Sequence, residues 1–176
     1  MEKISVVVPC YNEEKSLPFF YDEIKKVMNK MSNNEFELIF VNDGSKDRTI
    51  DVIKEMAKSD SRVRFLSFSR NFGKEAAMYA GFKESTGDYI AVMDADLQDP
   101  PELLVDMLKY IKEEGYDSVA TKRKTERKTA EERIQKNNDT VKGQKTQKKG
   151  ERRLTAWKAQ GKPQPDKPVK GRCTLY

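Results

Sequence analysis

Three aspartates, Asp94, Asp96 and Asp99, fall together in the stretch VMDADLQDPPELL, directly after the apolar run Tyr89–Met93. Side chains two apart on an extended segment point the same way, so Asp94 and Asp96 are expected to face one point while Ala95 turns aside. Carboxylates held so close raise each other's pKa unless a cation lies between them. Mg²⁺ or Mn²⁺ suits such a pair, because a hard divalent ion is commonly held by one or two carboxylates plus the phosphates of a substrate. Gln98 offers a further neutral oxygen on the same side. Asp99 reads differently. Asp99-Pro100-Pro101-Glu102 has the form of a capping box with proline in the first helical turn. The chain contains no histidine, so any chemistry must rest on carboxylates, amides, Lys and Arg.

The elements that would position these carboxylates are legible as alternating runs. Ile4–Val8 predicts a strand stopped by Pro9. Ser16 predicts the N-cap of a helix reaching Lys30, with Pro18 in its first turn. Phe36–Val41 predicts a second strand followed by the turn signal NDGS, and Thr49 opens a helix with Ile50, Val52, Ile53 and Met56 on its inner side. Val63–Phe68, Glu75–Lys83, Tyr89–Met93, Glu102–Glu114 and Ser118–Ala120 continue the alternation of strand and helix. The fold class is therefore α/β, a mostly parallel sheet with helices on both faces.

Such sheets bind ligands at the carboxyl ends of their strands. The polar segments CYNEEKS, NDGS, SRNFGK and DADLQD follow the four strands in turn and are expected to converge there. Asp43 in NDGS could accept a hydrogen bond from a nucleobase N–H, although a plain turn is the commoner use of such a segment. Lys74 stands where a diphosphate needs a cation, and Tyr11 is either a site residue or packing. A P-loop and a GxGxxG fingerprint are both absent, which excludes a Walker ATPase and a dinucleotide pocket.

Charge divides the 176 residues in two. Residues 1–121 hold 16 Lys+Arg against 23 Asp+Glu, whereas residues 122–176 hold 18 against 6. The second part has 11 apolar residues, too few to offset the entropy of ordering it. It predicts a disordered basic tail with at most a helical piece near Thr129–Gln135. Cys10 and Cys173 make no disulfide framework, and neither a signal peptide nor an apolar run of membrane-spanning length is present. These features predict a reduced, cytoplasmic protein. No sequence feature specifies an oligomeric state.

Four segments in order, SVVVPCYNEEKSL, LIFVNDGSKDRT, SRNFGKEAAMYAGF and GDYIAVMDADLQDPPELL, resemble family 2 glycosyltransferases of GT-A fold. The nearest subgroup is the polyprenyl-phosphate sugar transferases, the bactoprenol glucosyltransferases and dolichol-phosphate mannose synthases. The resemblance covers residues 3–123. It implies a Rossmann-like GT-A donor domain over 1–123, incomplete in this chain, and a tail over 124–176 unlike the family. By position, Pro9, Tyr11, Glu13, Val41 and Asp43 would hold the nucleotide of a sugar donor. Asp94 and Ala95 would lie against the nucleotide-sugar, and Asp96 and Gln98 would ligate Mg²⁺ or Mn²⁺ on its diphosphate. Lys122 and Arg123 would approach the phosphates.

The reaction so implied is an inverting transfer from a nucleotide-sugar, UDP-glucose before GDP-mannose, to a polyprenyl phosphate at the cytoplasmic face of a membrane. A lipid phosphate is already largely anionic at neutral pH and needs no strong protein base. The strands, acceptor-side helix and membrane helices that relatives carry after this point are not visible, and their replacement by out-of-frame residues is expected to leave the chain inactive. The other reading of the tail is a genuine basic segment for acidic lipid surfaces or nucleic acid. The tail lacks aromatic interleaving beyond Trp157, which argues against a single-strand stacking platform.

Two further functions compete with transfer. One is a non-catalytic module that binds nucleotide and metal. The other is a phosphatase or phosphotransferase of haloacid-dehalogenase type, which would have its Asp-x-Asp on the first strand and Thr or Val where this chain has Gln98.

Overall fold

A computed structural model describes residues 1–123, 152–157 and 172–174. The continuous apolar run of the first strand sets the architecture. β1 (Glu2–Cys10) pairs in parallel with β2 (Asn34–Asn42) on one side and β4 (Tyr89–Val92) on the other, and β2 pairs in parallel with β3 (Val63–Ser67). Val6 and Val8 point into one core, and Val7 points into the other. Strands buried on both faces read as continuous apolar runs, which is what VVV and LIFV are.

The first core lies under α1 (Leu17–Lys30), α2 (Thr49–Ser59) and α4 (Leu103–Glu114). Phe20, Ile24 and Val27 of α1, Ile53 of α2 and Met107 of α4 are wholly buried against Leu38 and Phe40 of β2. Phe20 meets Phe40 edge to face, centroids 6.3 Å apart. The second core is thinner, with α3 (Lys74–Glu84) laying Ala77 and Met78 on Val7, Ile39, Val41 and Val92. Its small residues let it approach closely: a Cβ on Gly81 would fall 2.2 Å from Val7 Cγ1.

The sheet continues with β5 (Ser118–Arg123), β6 (Arg152–Trp157) and β7 (Arg172–Thr174), in the order β3-β2-β1-β4-β7-β5-β6. β7 pairs in parallel with both β4 and β5. Part of the segment predicted to be a disordered tail is therefore strand. Three residues of backbone ladder between two parallel neighbours need no apolar pattern of their own. The rest of 124–176, including the helical piece expected near Thr129–Gln135, lies outside the described residues.

Three local expectations are corrected. Pro9 does not stop β1, which runs through Cys10. Proline removes only a donor, and the pairing here uses carbonyls: Cys10 O accepts Asp43 N–H at 2.9 Å and Val7 O accepts Met93 N–H at 3.0 Å. Ser16 makes no capping bond, because the turn already begins at Glu13, whose carbonyl accepts Leu17 N–H at 3.0 Å. The capping box at Asp99 is displaced as well. Leu103 and Leu104 N–H groups are taken by the carbonyls of Pro100 and Pro101, and Glu102 at the N-cap makes no side-chain capping bond.

At the amino edge of the sheet, Glu37 is buried. It accepts from Ser5 Oγ at 2.6 Å and Thr86 N at 2.7 Å, and Lys3 and Arg64 pair with it at 3.1 and 3.3 Å. Burial alone would raise its pKa, but the hydrogen bonds from Ser5, Thr86 and Lys3 outweigh burial and bring it from an ordinary 4.5 to about 2. A carboxylate depressed in the fold contributes stability above its unfolded value and loses it as pH falls through the folded one. Glu37→Gln should therefore cost roughly 2 kcal/mol at pH 7. In urea melts taken from pH 7 to 2, its gap from the wild type should narrow below pH 4.5 and close near pH 2. A gap independent of pH would refute the assignment.

Candidate active site

Because β1 to β4 are parallel, their following loops share one edge. Cys10 lies opposite Asn42 and Asn42 opposite Ser67, so the loops leave the sheet level with one another. Between them lies a cavity of about 290 Å³ lined by Pro9, Tyr11, Glu13, Asp43, Asn71, Gly73, Lys74, Ala77, Asp94, Ala95 and Asp96.

The loops are tied together mainly by side chains bonding backbone. Asn12, at φ 57°, gives its N–H to Ser45 Oγ at 3.0 Å and accepts Lys46 N–H on Oδ1 at 2.8 Å. Asparagine is one of the few residues that tolerates this left-handed conformation. Glu13 N–H goes to Thr49 Oγ1 at 2.8 Å, Glu14 N–H to Asp47 Oδ2 at 3.2 Å, and Arg48 N–H to Glu14 Oε2 at 3.0 Å. Asn42 Nδ2 reaches Ser67 Oγ at 2.9 Å. Asp43 accepts Phe72 N–H on Oδ1 at 2.7 Å and Gly73 N–H on Oδ2 at 2.9 Å. Lys74 Nζ lies 2.7 Å from Asp94 Oδ1 and 2.8 Å from its Oδ2.

That ion pair gives the acidic stretch a compensating charge. Asp94 and Asp96 line the same cavity, but not as neighbours on an extended strand. β4 ends at Val92 and the chain turns at Ala95-Asp96. Asp96 Oδ1 accepts Gln98 N–H at 2.9 Å, and Leu97 sits at φ 56°. A leucine there costs on the order of 1 kcal/mol or more; Leu97 packs against the main core, which holds the turn in place.

Eight of the predicted site residues thus meet in one cavity: Pro9, Tyr11, Glu13, Asp43, Lys74, Asp94, Ala95 and Asp96. Two do not line it. Val41 is buried in the core under α3, and Gln98 is exposed beyond the turn. Lys122 and Arg123 end β5, and their side chains lie outside the described residues. Asn71, Gly73 and Ala77 line the cavity without having been singled out. Their segment, SRNFGK and the helix start after it, was expected at this edge, which was the available signal.

The lining holds four carboxylates and one ammonium. Glu13 accepts the Ser16 hydroxyl, Asp43 is taken up by the loop amides and Asp94 is paired with Lys74, so Asp96, with Asp94 if that pair opens, is the carboxylate that could hold a cation. Among the described residues no three Asp, Glu or Cys groups cluster as a complete metal shell. The protein can supply part of a shell, the usual arrangement where phosphates complete the coordination of Mg²⁺. Cys10, buried beneath the site, is no nucleophile: burial raises its thiol pKa well above the ordinary value, and the charges of Glu13 and Asp94 add to this.

Residues 5–166 match Glycosyl transferase family 2. The chain belongs to that family. Its sheet of parallel strands with flanking helices is the GT-A fold. Membership of this family sets aside the phosphatase alternative. The uncharacterized glycosyltransferase YkcC of Bacillus subtilis (strain 168) is 50% identical over 125 residues, covering 69% of this chain and 38% of YkcC. The prophage bactoprenol glucosyl transferase homolog of Escherichia coli (strain K12) is 44% identical over 136 residues, covering 73% of this chain and 44% of that protein. The chain therefore spans less than half the length of these curated relatives. In fold it is similar to the mannosyltransferase PcManGT from Pyrobaculum calidifontis, solved in complex with GDP-Man and Mn²⁺, at a TM-score of 0.57 and 21% identity over 68% of this chain and 34% of that one.

The Glu13–Thr49 bond fixes how the family 2 domain presents its first loop. Thr49→Val keeps the shape but leaves that N–H without its acceptor, at a cost of about 1–3 kcal/mol. A lower urea midpoint with an unchanged slope is the expected result. An unchanged midpoint would mean that the first two loops are not joined through this hydroxyl.

Proposed function

We propose that the chain binds a nucleotide-sugar, UDP-glucose before GDP-mannose, together with Mg²⁺ or Mn²⁺, and serves the inverting transfer of the sugar to a polyprenyl phosphate. The observation that carries this reading is the cavity in which Asp94, Asp96 and Lys74 stand beside Pro9, Tyr11, Glu13 and Asp43. The relatives named for bactoprenol glucosyl transfer support the choice of lipid acceptor and sugar. PcManGT, solved with GDP-Man and Mn²⁺, supports the choice of a nucleotide-sugar with a divalent metal only as an analogy of fold.

In this reading Pro9, Tyr11 and Glu13 border the nucleoside, and half-exposed Tyr11 offers a ring face at the mouth. Val41 contributes from behind, by packing the strand end from which Asp43 projects. Asp94 and Asp96 would hold the metal, and Gln98 assists through its backbone by orienting Asp96. The metal, when bound, neutralises charge that develops on the leaving diphosphate. Lys74 adds a compact cation at the same end. Lys122 and Arg123 are proposed as further phosphate contacts on the family resemblance alone. The acceptor phosphate carries its own negative charge and attacks without a protein base, in keeping with a chain that has no histidine.

A lipid acceptor implies work at a membrane surface, with the chain peripheral on the cytoplasmic face. No helix among the described residues is long and apolar enough to cross a bilayer.

Calorimetric titration of UDP into the purified chain, with and without Mn²⁺ and beside Asp96→Ala, tests the reading. Binding should require the metal and weaken at least about tenfold in the variant, roughly 1.4 kcal/mol. Binding of GDP in place of UDP would reassign the donor. Binding without release of UDP on adding polyprenyl phosphate would favour the donor-binding module. Silence from both nucleotides would sink the proposal.

A further inference from the structure

We infer that Lys74 is a specificity residue: its ammonium sits on Asp94 as a built-in counter-ion, so that the cavity disfavours a bare divalent cation and admits one that arrives with a diphosphate. The inference rests on the nucleotide-site reading above and deepens it, by giving Lys74 two successive partners.

The two carboxylates at the metal end of the cavity are engaged differently. Asp96 spends Oδ1 on the Gln98 N–H of its own turn, at 2.9 Å, and the residue is exposed. Asp94 has the Lys74 ammonium across both oxygens, 2.7 Å from Oδ1 and 2.8 Å from Oδ2. A cation that takes Asp94 as a ligand must therefore displace an ammonium as well as water. The Lys74 and Asp94 side chains are 44% and 33% exposed, and a pair so open to water is worth about fivefold at most in an equilibrium constant. It is strong enough to compete with a weakly held ion and weak enough to yield.

Helix α3 itself gains nothing from a lysine at this position. Lys74 is its first residue, where the positive end of the helix dipole disfavours a cation. Asp94 supplies the balancing charge. The pivot of the side chain is also fixed. The Gly73 carbonyl accepts the Ala77 N–H at 3.1 Å, Ala77 and Met78 pack on the second core, and a Cβ on Gly81 would fall 2.2 Å from Val7 Cγ1. The helix cannot follow the ammonium, so release of Asp94 takes only rotations along the flexible four-carbon stem.

Asp94 and Asp96 together attract a divalent ion more strongly than Asp94 attracts an ammonium, so Asp94 can exchange Lys74 for the ion. Lys74 then needs another anion. A diphosphate supplies one, whereas bare metal leaves the ammonium without a partner beside a like charge. Parting the pair is thus offset only when metal and diphosphate enter together.

Lys74→Met removes the competitor and the second contact at once, so it should move two affinities in opposite directions. Mn²⁺ alone, followed by the electron spin resonance of the free aqueous ion, should bind at least about threefold more tightly than to the wild type. UDP, titrated calorimetrically at saturating Mn²⁺, should bind at least about threefold more weakly. Lys74→Arg keeps the charge and should bind Mn²⁺ no more tightly than the wild type. Lys46→Met removes an exposed lysine of the second loop, keeps its backbone N–H on Asn12, and should leave both affinities unchanged. Lys74→Gln serves if the methionine variant does not fold.

Unchanged or weaker Mn²⁺ binding in Lys74→Met would overturn the inference, and so would a failure of both wild type and variant to bind Mn²⁺. Equal tightening in Lys46→Met would mark a general effect of charge and overturn it too. So would UDP binding that Lys74→Met leaves unchanged. A wild type that binds Mn²⁺ but neither UDP nor GDP would refute the proposed function instead, and the Mn²⁺ comparison would still decide whether Lys74 competes for Asp94.

Discussion

The parallel pairing of β1 between β2 and β4 is the constraint on which the rest depends. A parallel ladder sends every strand out of the sheet at the same end, so each following loop must arrive at one edge. It also forces helices onto both faces, which is why Val6 and Val8 find one core and Val7 another. Once those three strands pair, Glu13, Asp43, Asp94 and Asp96 are brought together whether or not their charges agree. The remaining structure at that edge is the means by which they are made compatible.

The means are local and mostly polar. Four loops are tied in sequence, the first to the second through Asn12, Glu13 and Glu14, the second to the third through Asp43, and the third to the fourth through Lys74 and Asp94. Apolar burial could not do this at the rim of a sheet, where the side chains face a wet cavity. Side-chain oxygens that accept backbone N–H groups can, since each bond satisfies a donor that a loop would otherwise leave to solvent. The opposite edge uses the same chemistry for a different end. There Glu37 gathers Ser5, Thr86, Lys3 and Arg64 around one buried carboxylate and encloses the charge fully. At the carboxyl edge, Asp96 is left exposed.

The strands, the helices and the shared edge were legible because periodicity reports burial, and burial is what a doubly covered sheet imposes. The individual contacts were less so. Pro9 reads as a stop in any local scheme, and only the partner strand shows that its carbonyl neighbours carry the ladder. Asp94 and Asp96 read as an extended pair. The turn at Ala95-Asp96 depends on Leu97 accepting a strained φ in exchange for core contact, a trade invisible without the core. Asp43 reads as a free acceptor because its partners, Phe72 and Gly73, lie some thirty residues away. β7 has only the sequence RCT, and its neighbours alone make it a strand.

The charge balance of the cavity then constrains how a donor can enter. Two like charges about 5 Å apart at a protein surface repel by about 3 kcal/mol. A nucleoside diphosphate would meet four carboxylates and a single ammonium already engaged by Asp94. Asp43 is engaged by two loop amides and Glu13 by the Ser16 hydroxyl, so the unfavourable encounter would fall mainly on Asp94 and Asp96. A divalent cation reverses its sign at that point, because the same two carboxylates that repel the diphosphate attract the ion it chelates. On the proposed function, donor and metal would strengthen one another's binding, and by linkage the coupling would be equal in both directions. An edge made acidic by topology would thus, on the proposed function, favour a phosphate ligand that arrives with its counter-ion.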